Sequence, residues 1–179
     1  MNLPNKLSIA RICCIPLVVV LLYLSAPACR IAAGVIFVFG CFTDFLDGHI
    51  ARKHQLITDF GKFIDPVADK LLVLSALIML IHRGLMDAWP VILILCRELA
   101  VDGLRMIAVG KGKVIAADKL GKWKTTFQMI LICVLIFLNT PVYSTWYTIS
   151  LLVIVVGLTL FSGFNYFRKN LTVFQEEKA

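Results

Sequence analysis

Residues 31–53 read IAAGVIFVFGCFTDFLDGHIARK. The first twelve are apolar without interruption; the next eleven contain two aspartates, a histidine, an arginine and a lysine. A run of this length is too long for a core strand, and over residues 31–50 it approaches the ~20 residues that a helix needs to cross a bilayer. The segment therefore reads as a membrane helix whose far end carries charge.

The rest of the chain agrees with that reading. Of its 179 residues, 60% are hydrophobic and 16% charged, with a mean hydropathy of +0.89. Ordinary soluble domains have about 45–50% apolar and about 25% charged residues. So little polar surface excludes a soluble enzyme, a disordered chain and a secreted disulfide scaffold. The six cysteines (Cys13, Cys14, Cys29, Cys41, Cys96, Cys133) show no C-x2-C spacing and lie in or beside apolar runs, so they read as small apolar helix residues.

Five further apolar stretches, at 9–24, 63–81, 88–109, 125–138 and 145–167, join 31–50 to give six expected spans in one domain, residues 1–179. The first and fifth are short until their flanking turns are added. Ser25-Ala26-Pro27 and Asn139-Thr140-Pro141 punctuate the runs. No small-residue cleavage site follows the first run, so it is expected to be retained. The fold expected is an all-α integral membrane bundle of six transmembrane helices.

Lysine and arginine set its orientation. One side holds Arg30 and Arg83; the other holds Lys6, Arg11, Arg52, Lys53, Lys62, Lys111, Lys113, Lys119, Lys122, Lys124, Arg168, Lys169 and Lys178. Both termini are therefore expected to face the cytoplasm. Topology and attraction to anionic headgroups account for most of the net charge of +7, with no need for nucleic acid. Trp89, Trp146 and Tyr147 fit an aromatic belt on the external side.

Hydrophobic burial does not explain the aspartates. Asp44 and Asp47 stand at i and i+3, and Asp65 and Asp69 at i and i+4, so each pair shares a helical face. The short polar connection 53–59 makes the two helices antiparallel neighbours. Asp59 is expected in that loop, and Asp65 before Pro66 has the alternative role of a helix N-cap. Four neighbouring carboxylates stay ionised only beside a compensating cation. Hard divalent ions suit such oxygen ligands, and a pair of them about 3.5–4 Å apart is a recurring solution for phosphoryl chemistry. Gly48 and Gly61 leave room for a close approach, and Arg52 supplies a cation suited to a diphosphate. His49 and His54 flank the aspartates without ligand spacing.

Together the residues read Asp44-x2-Asp47-Gly48-x2-Ala51-Arg52-x8-Gly61-x3-Asp65-x3-Asp69. This resembles, without departure, the signature of the CDP-alcohol phosphotransferase family. NLPNKLSIARI (2–12), DPVADK (65–70), RELAVDGLR (97–105) and GKWKTTFQM (121–129) extend the resemblance along the chain, toward bacterial members that act on sn-glycerol 3-phosphate. The resemblance implies transfer of the phosphatidyl group of CDP-diacylglycerol to that acceptor, with release of CMP, at the cytoplasmic face of the bacterial inner membrane. It further implies that Asp44, Asp47, Asp65 and Asp69 hold two Mg²⁺ or Mn²⁺ ions. Asp69 would also serve as general base, Gly48, Ala51 and Gly61 would line the cytidine, and Arg52 would contact the diphosphate. Family precedent also implies a homodimer. Ala32, Ala33, Gly34 and Gly40 permit close packing, either within the bundle or between copies.

A phosphorylated acceptor calls for further cations. Arg97 and Arg105, eight residues apart, share a face of the fourth helix, where Glu98 can orient one of them. Lys119, Lys122 and Lys124 open the fifth helix. Another acceptor, such as phosphatidylglycerol or inositol phosphate, stays open on these residues. A divalent-cation transporter would place its acidic groups near the bilayer midplane and without Arg52 beside them.

Overall fold

The computed structural model describes residues 3–24, 26–54, 59–111 and 119–170; the side chains of 3–7, 44–66, 69 and 119 lie outside the description. Six helices follow one another: α1 (Leu3–Tyr23), α2 (Pro27–His54), α3 (Asp59–His82), α4 (Ala88–Gly110), α5 (Lys119–Leu138) and α6 (Trp146–Lys169). Each of the six apolar stretches falls in its own helix, with only Leu24 and Thr145 left just outside, and every helix overruns its apolar border at one end or both. α5 begins at Lys119 instead of 125, because lysine is a good helix former and backbone hydrogen bonding does not stop where hydropathy falls. α2 begins at Pro27, where the fixed φ and missing N–H of proline suit a first helical position.

Two expectations are corrected here. Asp59 is the first residue of α3 and not a loop residue; Asp65 and Pro66 lie inside α3, so Asp65 caps no helix start. By length and composition, two of the described helices can cross a membrane, Leu120–Leu138 and Trp146–Lys169. α4 has 23 residues but carries Arg97, Glu98, Asp102 and Arg105.

The chain divides into two compact units. The first comprises Met1–Met86 and Ile132–Pro141, the second Asp87–Leu131 and Val142–Ala179. In the first unit α1 packs on both α2 and α3, and α2 packs on α3. Val18, Leu22, Ala33, Phe37, Leu72, Leu77, Leu135 and Ile136 are buried there. Small residues on α2 admit their neighbours within this unit. A Cβ on Gly40 would lie 2.6 Å from Leu72 Cδ2, and one on Gly34 would lie 2.7 Å from Phe137 Cζ.

One polar fastening of this unit is at the α3 terminus. Gly84 takes φ +68°, Leu85 N–H donates to Leu80 O at 2.9 Å, and Gly84 N–H donates to Ile81 O at 2.9 Å. This left-handed termination satisfies carbonyls that the helix end would leave open. Arg83 Nη1 donates to Leu22 O at 2.9 Å, and its Nη2 donates to Asn139 Oδ1 at 3.1 Å. One guanidinium thereby ties the end of α1 to the residue that follows α5.

In the second unit α4 packs on α6, with Val101, Leu104, Ala108 and Tyr166 buried between them and Phe167 against the cluster. Trp89 Nε1 donates to Tyr143 Oη at 3.0 Å. Large apolar side chains face outward in both units, among them Phe39, Phe42, Met106, Trp146 and Phe164.

The two glycine environments predict different costs. Gly84→Ala meets open space and loses only the left-handed backbone preference, about 1 kcal/mol. Gly34→Ala drives a methyl into the Phe137 ring and costs about 1–3 kcal/mol through overpacking. Thermal midpoints in detergent check both, with the larger drop expected for Gly34→Ala.

Candidate active site

The signature residues occupy two helices of the first unit. Asp44, Asp47, Gly48, Ala51 and Arg52 fall in the second half of α2, and Gly61, Asp65 and Asp69 in the first half of α3. The side chains of these eight residues lie outside the described set, so the structure gives only their backbone registers. Those registers keep Asp44 and Asp47 one turn apart, and Asp65 and Asp69 likewise, on helices that pack together. Among the described residues no group of three or more His, Cys, Asp or Glu could hold a metal ion. The donor set carried by α2 and α3 is all carboxylate, which suits a hard divalent cation.

One turn before Asp44, the Gly40 carbonyl is unusually well supplied with donors. Thr43 Oγ1 donates to it at 2.7 Å, and Arg11 Nε from α1 donates at 3.2 Å. Arg11 is 1% exposed. Its charge reads in the sequence as one of the topology cations; its position inside α1, beyond the polar N-terminal segment, is the signal that separates it from a loop residue.

The cations expected to meet an acceptor phosphate fall in the second unit, and the structure sorts them by partner. Lys124 of α5 is fully buried and ion-paired with Glu98 Oε1 of α4. Glu98 thus pairs with a lysine of the neighbouring helix, where the sequence suggested Arg97 or Arg105. Lys122 is exposed, and the side chain of Lys119 lies outside the described residues. Arg97 Nη2 donates to Ser162 Oγ at 3.1 Å, and Arg105 Nε donates to Tyr166 Oη at 2.9 Å. Both arginines are half-buried and both reach α6. Gln128, one turn beyond Lys124 on α5, is 3% exposed, and its Oε1 has no hydrogen-bond partner among the described residues.

Sequence reasoning did not single out Ser162, Gly163 or Tyr166. On α6, Thr159, Ser162 and Tyr166 stand at i, i+3 and i+7, the spacing of one helical face, and this polar stripe within an apolar helix was the available signal.

Comparison with known proteins covers nearly the whole chain. The profile of the CDP-alcohol phosphatidyltransferase family matches residues 1–161. A CDP-diacylglycerol–glycerol-3-phosphate 3-phosphatidyltransferase of Bacillus subtilis (strain 168) is 42% identical, over 94% of this chain and 95% of the relative. One of the same name from Rickettsia typhi is 40% identical, over 97% of this chain and 99% of the relative. A cardiolipin synthase (CMP-forming) of Oryza sativa subsp. japonica is 36% identical, over 94% of this chain and 57% of the relative.

The Glu98–Lys124 pair gives a direct test of burial. Removing either partner takes an opposite charge away from a desolvated one, at a cost of about 3 kcal/mol. Glu98→Ala and Lys124→Met are each expected to lower the thermal midpoint in detergent. The double variant should recover part of the loss, giving a favourable coupling in the double-mutant cycle.

Proposed function

The chain belongs to the CDP-alcohol phosphatidyltransferase family, and we infer from this that it is a CDP-diacylglycerol–glycerol-3-phosphate 3-phosphatidyltransferase, forming phosphatidylglycerophosphate and CMP. The observation that carries the reading is end-to-end similarity at 42% identity to a relative of that name, together with all eight signature positions between Asp44 and Asp69.

In the reaction, the primary hydroxyl of sn-glycerol 3-phosphate attacks the phosphorus bonded to diacylglycerol. A new P–O bond forms, the P–O bond to CMP breaks, and the hydroxyl proton goes to a base. We assign the base to the Asp69 carboxylate, within hydrogen-bond reach of the hydroxyl in the reacting complex. Asp44, Asp47, Asp65 and Asp69 would hold two Mg²⁺ or Mn²⁺ ions. Such ions, when bound, neutralise the diphosphate and the charge that develops on departing CMP. Arg52 adds a fixed cation for the diphosphate, and Gly48, Ala51 and Gly61 leave room for the nucleotide. Arg97, Arg105, Lys119, Lys122 and Lys124 form the basic set assigned to the acceptor phosphate, with forked guanidinium contacts favoured over point charges.

We place the enzyme in the bacterial inner membrane as one domain of six spans that pairs as a homodimer, with both termini and the active site on the cytoplasmic side. The lysine and arginine distribution supports that orientation, and the outward apolar side chains of both units support a lipid surround. The 36% identity to a cardiolipin synthase favours phosphatidylglycerol as the second acceptor reading. Family membership removes cation transport.

CMP release by detergent-purified protein with CDP-diacylglycerol and Mg²⁺ tests the assignment. Release is expected with sn-glycerol 3-phosphate and not with serine, inositol phosphate or phosphatidylglycerol. A chelator should abolish it, and Asp69→Asn should lower kcat by about 10²–10⁴. Release with phosphatidylglycerol alone would transfer the assignment to the second reading, and undiminished turnover by Asp69→Asn would remove the base.

A further inference from the structure

We propose that α6 is the positioning element for acceptor recognition, with Ser162, Gly163 and Tyr166 aiming Arg97 and Arg105 of α4 at the phosphate of the acceptor. The proposal rests on the acceptor assignment made above and names how the second unit achieves it.

Arg97 is threaded through a slot made by two glycines. A Cβ on Gly163 of α6 would lie 3.1 Å from Arg97 Cγ and 4.0 Å from its Nε, and a Cβ on Gly121 of α5 would lie 3.5 Å from its Nη2. At the end of the slot Nη2 meets Ser162 Oγ, and the Ser162 hydroxyl donates in turn to Thr159 O at 3.3 Å. The serine thus accepts from the arginine and donates to the backbone of its own helix, which fixes its rotamer.

Tyr166 does the same for Arg105 by two contacts. Its hydroxyl accepts from Nε, and the guanidinium carbon stands 5.5 Å from its ring centroid, within cation–π range. Tyr166 is 2% exposed and packed in the core with Val101, Leu104 and Ala108, so the ring is a rigid support. Nε is the donor engaged, and the Nη pair of Arg105 keeps the geometry of a fork that matches a phosphate edge.

The chemistry of these partners separates the two arginines from Lys124. The carboxylate of Glu98 pairs with Lys124, whereas hydroxyls of α6, from Ser162 and Tyr166, orient Arg97 and Arg105. Two aimed guanidinium groups, eight residues apart on one face of α4 and held from one face of α6, suit a phosphate dianion and not a neutral alcohol. Within the basic set, α6 therefore singles out Arg97 and Arg105.

Steady-state kinetics with sn-glycerol 3-phosphate and CDP-diacylglycerol varied separately tests the proposal. Tyr166→Phe keeps the ring and deletes one hydrogen bond to a charged group, and Gly163→Ala pushes on the Arg97 stem. Each is expected to raise KM for glycerol 3-phosphate about tenfold, with kcat at saturating acceptor and KM for CDP-diacylglycerol held within about twofold. Ser162→Ala should behave alike, and Ser162→Thr, which restores the hydroxyl, should recover most of the loss. Equal changes in both KM values and kcat, accompanied by a lower thermal midpoint, would reduce α6 to a structural support and overturn the proposal. Arg97→Gln and Arg105→Gln serve as the reference. If they raise the acceptor KM while Tyr166→Phe and Gly163→Ala leave it unchanged, the positioning role fails and the acceptor assignment stands; if they too leave it unchanged, the acceptor assignment fails and the positioning role with it.

Discussion

An ionised side chain among apolar atoms persists only with a partner, because the desolvation penalty is several kcal/mol for each uncompensated charge. In a chain that is 60% hydrophobic, this constraint governs where charge can stand. Arg83 spends its guanidinium on the open carbonyls of α1 and on Asn139, and Arg11 is held at the Gly40 carbonyl. Lys124 is matched by Glu98, and Arg97 and Arg105 are matched by hydroxyls of α6. Asp44, Asp47, Asp65 and Asp69 recur within 26 residues of α2 and α3, and divalent ions are the partner proposed for them.

The same structure distinguishes glycines that fill different needs. Gly84 supplies a left-handed backbone at the end of α3 with open space around it. Gly34 and Gly40 let side chains of neighbouring elements close on α2, and Gly163 lets an arginine pass. Small residues in apolar helices thus serve backbone geometry, helix approach and the threading of a charged side chain. The last of these connects packing with function in the second unit, since the direction of Arg97 is set by what α6 lacks as much as by what it offers.

The helix count was legible because each apolar run exceeds the length of a strand and is bounded by proline, glycine or charge. The helix limits were less so. The start of α5 at Lys119 and the interior place of Asp65 and Pro66 depend on backbone hydrogen bonding, which hydropathy does not report. Family membership was legible from eight fixed positions in 26 residues, a pattern too specific to arise from periodicity. The partner of Glu98 was not, because i to i+7 neighbours on α4 and the facing turn of α5 are equally compatible with its spacing. Nor were Ser162, Gly163 and Tyr166, whose importance lies in a contact across 61 to 66 residues of chain that no local pattern encodes.

The role proposed for the aspartates of α2 and α3 is to hold ions for phosphoryl transfer. Manganese binding to the purified protein, followed by electron paramagnetic resonance, tests it without relying on turnover. About two bound ions per chain are expected with CDP-diacylglycerol present, with loss of binding in both Asp44→Asn and Asp65→Asn while the protein remains folded. Manganese binding that is unchanged in both variants would contradict it.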